Sequence, residues 1–123
     1  MVLCCGSALA ACNAAQMGEP PDSGSPTDAL APIPCTVVAP TMCPAPAIRY
    51  PDVQPIFQRR CVLCHSDHSQ HWPLTTYQHV ADWYDTIHDD VLGCMMPPPA
   101  ANIPITDDER LAILTWLRCG YPP

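Results

Sequence analysis

The chain has no lysine: its five basic residues are all arginines, scattered from Arg49 to Arg118 and set against twelve acids. Neutralising a phosphate backbone takes clustered Lys and Arg, so this balance excludes nucleic acid as a partner. The formal net charge of -7 describes an acidic surface, which otherwise means little beyond solubility. A membrane-crossing run is missing from the start of the chain as well, because the apolar segment at residues 2–12 is shorter than the ~20 residues a spanning helix needs. There is no alternation of strand and helix patterns of the βαβ kind, which removes a thioredoxin-like fold. Between Pro20 and Pro46 hydrophobic periodicity is also absent, and that stretch reads as a linker rather than as fold.

What the chain does contain in excess is proline and cysteine, 17 and 9 in 123 residues. The length suits one domain plus a tail. Three parts are expected: a signal-like segment at 1–12, a disordered Pro-, Ala- and Ser-rich linker at 13–48, and a folded domain at 49–123. Nine cysteines do not suit a reducing cytosol, so export is expected. Leu9-Ala10-Ala11-Cys12 resembles the lipobox of bacterial lipoproteins, which implies a diacylated Cys12 as the membrane contact. Within the linker, Cys35 and Cys43 are close enough in sequence to close a small loop by a disulfide.

The segment Cys61-Val62-Leu63-Cys64-His65 matches C-x-x-C-H. This spacing puts both thiols on one side of a helical turn with an imidazole immediately beyond. It suits one covalently attached haem c: Cys61 and Cys64 form thioethers with the vinyl groups and His65 coordinates iron. The rivals are a redox C-x-x-C pair and a zinc site that recruits His68 and His71. Upstream, Val53, Ile56 and Phe57 recur at helical spacing, so a helix from about Asp52 leads into the motif. Arg59 and Arg60 then lie where they meet either a haem propionate or solvent.

A sixth iron ligand is available in Cys94-Met95-Met96-Pro97-Pro98-Pro99, where Met96 directly precedes the stiffening prolines. Between the two ligands, Tyr77, Val80, Ala81, Tyr84, Ile87 and Val91 share one face of an expected amphipathic helix, with Asp82, Asp85 and Asp89 opposite. His88 lies at the margin of that face and is the alternative distal ligand; His79 points away. The last helix opens on the capping box Thr106-Asp107-Asp108-Glu109 and stops at Gly120. A Cys94–Cys119 disulfide is expected to fasten the methionine segment to that helix.

From residue 50 to residue 121 the order of features resembles the class I cytochrome c domain of small bacterial exported proteins. The resemblance rests on Val53-Gln54-Pro55-Ile56-Phe57, on Cys61 to His65, on Met96-Pro97-Pro98 and on Leu114-Thr115-Trp116-Leu117. It implies an all-α, three-helix fold around one haem c, Met96 rather than Met95 as distal ligand, and electron transfer. It also implies that a proline carbonyl receives the proximal imidazole N–H, a role expected of Pro73. The stretch after His65 departs from the family by lacking a glycine-rich turn and adding His68 and His71.

The function expected is that of an electron carrier, not an enzyme, with iron held by His65 and Met96. It exchanges electrons with redox partner proteins, without a small-molecule substrate, in the periplasm or at an outer membrane reached through Cys12. The alternatives are a haem enzyme or ligand sensor with a displaceable methionine, and a structural zinc-binding lipoprotein.

Overall fold

The computed structural model describes residues 35–123. The segment 1–12, with Cys12, and the greater part of the linker lie outside the described residues. Helix α1 (Tyr50–Arg60) starts two residues earlier than the apolar stripe requires. Pro51 in its first turn loses no hydrogen bond, and the Asp52 carboxylate accepts from the Arg49 N–H at 2.8 Å. Val53, Ile56 and Phe57 face the core, as the i, i+3, i+4 spacing demands.

The middle helix is two helices, α2 (Tyr77–Asp82) and α3 (Tyr84–Leu92), divided at Trp83. The described residues therefore hold four α-helices and no strand, not three helices. At the break Trp83 leaves helical geometry (φ -121°, ψ 23°) and its ring packs on Trp72 at 5.0 Å between centroids. Val80, Ile87 and Val91 keep their core positions. Tyr84 does not: it is exposed and stacks on Tyr121 at 4.8 Å. Thr86, Ile87, Asp90 and Val91 of α3 face a cleft beside the core.

Helix α4 (Asp107–Arg118) begins on the expected capping box, with the Glu109 N–H donating to Thr106 Oγ1 at 3.1 Å and the Thr106 N–H to Glu109 Oε2 at 3.0 Å. It ends in a Schellman pairing: the Gly120 N–H donates to Leu117 O and the Tyr121 N–H to Trp116 O. Gly120 has φ 85°, the left-handed region that a side chain disfavours. Trp116, Ile113 and Leu114 are wholly buried, and Tyr50, Phe57, Tyr77 and Tyr121 pack their rings around Trp116. The fold thus owns a side-chain core apart from any prosthetic group.

The disulfides correct the expected pairs. Cys35 bonds Cys94 and Cys43 bonds Cys119, so neither the loop closure within the linker nor the direct link from the methionine segment to α4 is formed. The reason is spatial: residues 35–48 lie over the domain without regular secondary structure, with Val37 and Ile48 packed against the core. Thr36 Oγ1 donates to Asp107 Oδ2 at 2.7 Å, and Arg118 reaches Thr41 O at 3.4 Å. Nearness in space outweighs nearness in sequence, and each cysteine of this strap meets one of the domain.

A second clasp joins α1 to α4. Arg60 pairs with the Glu109 carboxylate through Nε at 3.1 Å and Nη2 at 3.1 Å, and Arg59 adds a longer contact. Both arginines are thus committed to Glu109. Burial pushes the Glu109 carboxyl up, but hydrogen bonds from Arg60 and the Thr106 N–H outweigh it and hold the group below its ordinary range.

Three expectations follow. A non-reducing peptide map should contain the 35–94 and 43–119 cross-links; recovery of 35–43 and 94–119 instead would contradict the strap. Removing the Cys43–Cys119 bond should cost about 2–4 kcal/mol in a denaturant titration. Glu109 stabilises the fold above its ordinary carboxylate pKa and loses that contribution as pH falls through its lowered folded value. Glu109→Gln should therefore be less stable than the parent at pH 7, with the gap narrowing on acidification; a gap independent of pH would refute the assignment.

Candidate functional site

The C-x-x-C-H motif continues the turn of α1. The Cys61 N–H donates to Phe57 O at 2.9 Å, and the N–H groups of Cys64 and His65 both donate to Cys61 O, at 3.1 and 2.9 Å. One turn therefore gathers Cys61, Cys64 and His65 on the rim of a single cleft. Met96 lines the same cleft, with Pro97 and Pro98 beside it. All four residues expected from the sequence meet there. The cleft encloses about 1000 Å³ up to its open mouth, and Phe57, Leu74, Ile87, Val91, Ile105 and Ile113 make its walls mostly apolar. That volume includes the open solvent at the mouth.

The His65 ring is oriented by its neighbours. Nδ1 lies 2.7 Å from Trp72 O, and a carbonyl only accepts, so Nδ1 carries the hydrogen and donates. In the neutral ring the lone pair is then on Nε2, the form a metal needs. The carbonyl belongs to Trp72, not Pro73, a correction of one residue: the Leu74 N–H donates to His65 O at 2.8 Å and fixes the loop so that the Trp72 carbonyl faces the ring. Burial lowers the His65 pKa, opposed by the bond to Trp72; His71 lowers it further and Asp90 opposes. The net effect favours the neutral imidazole.

Cys61 is a free thiol, pushed up to about 12 by burial while Arg110 pulls the other way. It stays protonated at neutral pH, which disfavours both a thiolate nucleophile and a redox pair. Cys64 is engaged in a disulfide.

The methionine segment is fastened at both ends. The Met95 and Met96 N–H groups donate to Asp90 O at 2.9 and 3.2 Å. Arg110 Nη1 donates to Met96 O at 2.8 Å and to Val91 O at 3.2 Å. Met95 is exposed and does not line the cleft. His88 faces a separate surface groove and pairs with Asp89, and His79 bonds Thr75, so neither reaches the cleft. His71 does line it, 5.5 Å from His65 between ring centroids, while His68 is exposed elsewhere. Among the described residues no group of three or more His, Cys, Asp or Glu is arranged to hold a metal ion, the arrangement a zinc site through His68 and His71 would need.

Arg110 was absent from the sequence reading, although a signal exists: it stands three, four and seven residues before Ile113, Leu114 and Leu117, on the apolar stripe itself. No helix among the described residues is long and apolar enough to cross a membrane. Comparison with protein families, curated proteins and solved structures finds no match to this chain.

In the chain free of any bound group, nitrogen NMR should find His65 protonated at Nδ1 and titrating below the ordinary histidine value near 6.5. Rapid averaging of the two tautomers would contradict the Trp72 contact.

Proposed function

We propose that the chain is an electron carrier of the c-type cytochrome kind, with one haem c bound through Cys61 and Cys64 and iron held between His65 and Met96. The observation that carries this reading is that the C-x-x-C-H turn and the Met96 segment, far apart in sequence, wall one apolar cleft. The donors suit the group: two sulfurs on one turn, an imidazole with its Nε2 lone pair available, and a soft thioether in the same cleft. When bound, haem c supplies reversible one-electron chemistry at iron.

The chain's own part is to orient and exclude. Trp72 O sets the His65 ring, and a carbonyl on the far nitrogen raises its strength as a ligand. The apolar walls would face the bound group and limit the water around it. His65 and Met96 together would leave no open position on the iron, which suits electron transfer to a redox partner protein rather than catalysis on a substrate. Attachment at Cys64 consumes a thiol, so a two-electron thiol reductant from outside the chain must first open the disulfide there. The reading places the protein outside the cytoplasm, in the periplasm or held at the outer membrane by a lipid on Cys12.

The test is expression of the full chain with a haem-ligation system, a denaturing gel stained for haem, and spectra of both redox states. Covalent haem with a weak sulfur-to-iron band near the red edge is expected, the band being lost in Met96→Ala and the stain in a Cys61→Ala, Cys64→Ala double variant. High-spin spectra in the parent would favour a haem enzyme or sensor. A haem-free band containing zinc would end the cytochrome reading.

A further inference from the structure

Arg110 is the buried arginine among the described residues, at 8% exposure, and it makes no ion pair within them. Both of its hydrogen bonds go to main-chain carbonyls around the methionine segment, Val91 O at the end of α3 and Met96 O. A buried guanidinium without a carboxylate partner is costly. An apolar residue would continue the stripe of Ile113, Leu114 and Leu117 without that cost, but it would leave the Met96 carbonyl without this donor.

The sequence after Met96 makes the donor hard to replace. Pro97, Pro98 and Pro99 have no N–H, so the main chain there cannot anchor itself by donating. The segment's own N–H anchors, at Met95 and Met96, all lie on its near side and end on Asp90 O. Arg110 is the tie at the Met96 carbonyl. It also bridges to Val91, so the end of α3, the methionine segment and α4 meet on one guanidinium.

We infer that Arg110 is the positioning residue of the distal ligand: by holding the Met96 carbonyl against α4 it keeps the thioether in the cleft and sets how readily that sulfur yields to an outside ligand. This rests on the reading of Met96 as an axial ligand. Both bonds leave the single nitrogen Nη1, so a lysine ammonium has the donors to replace them, but its stem is one bond shorter and it is only a partial substitute.

The experiment uses the full haem-loaded chain with Met96→Ala, Arg110→Gln and Arg110→Lys, the readouts being the sulfur-to-iron band and the affinity for added imidazole. In Arg110→Gln the haem should remain covalently attached and the helical signal intact, while imidazole binds at least tenfold more tightly and the band weakens. Arg110→Lys should fall between the two. A band that survives Met96→Ala would sink the ligand assignment. A band lost in Met96→Ala while Arg110→Gln keeps the parent's band and imidazole affinity would overturn the role of Arg110 alone. Should neither arginine variant accumulate, NMR of the parent decides. A slowly exchanging Arg110 Nη1–H with cross-peaks to Met96 and Pro97 supports the inference; averaged, mobile guanidinium signals defeat it.

Discussion

The fold depends on two consecutive residues of α4 that reach in different directions. Successive side chains on a helix diverge by about 100°, so Glu109 and Arg110 serve different neighbours from the same turn. Glu109 takes Arg60 at the end of α1 while also closing the capping box of its own helix. Arg110 takes Val91 and Met96 at the end of α3. The end of α1 carries the cysteines and histidine, and the end of α3 leads into the methionine. The opening of α4 is therefore the place to which both walls of the cleft are tied.

An apolar cleft in so small a domain tends to collapse, because its walls gain by meeting one another. Here the walls are tied from behind. The strap at residues 35–48 is bonded to Cys94 beside the methionine segment and to Cys119 beyond α4. Closing long loops of the unfolded chain removes more conformational entropy than closing short ones. The observed pairs span 59 and 76 residues, far more than the local Cys35–Cys43 loop would have. Meanwhile Trp116 and the rings around it form a core on one side of α4, and Ile113 on the same helix faces the cleft.

On the proposed reading the cleft serves coordination rather than nucleophilic reaction. A buried thiol that stays protonated is a poor nucleophile for acyl transfer or disulfide exchange. On that reading Cys61, Cys64, His65 and Met96 would hold a large apolar group with a metal at its centre. The rival histidines are separated by the fold itself, with His88 and His79 turned to other partners and His68 left at the surface.

Much of this was legible from residue order, because the relevant physics is local. Helical periodicity placed Val53, Ile56 and Phe57 inward, the capping box at Thr106 and Glu109 marked the start of α4, and Gly120 marked its end. The spacing of C-x-x-C-H put two sulfurs and an imidazole on one turn without reference to anything distant. The chain by itself thus determined its all-helical character, the two ends of α4 and the composition of its candidate site. Only the tertiary structure decided the break at Trp83, the choice of Trp72 O rather than Pro73 O, the crossed disulfides and the partners of Arg60 and Arg110. These are settled by which backbone and side-chain groups from remote positions come within a few ångströms, and no local propensity encodes that distance.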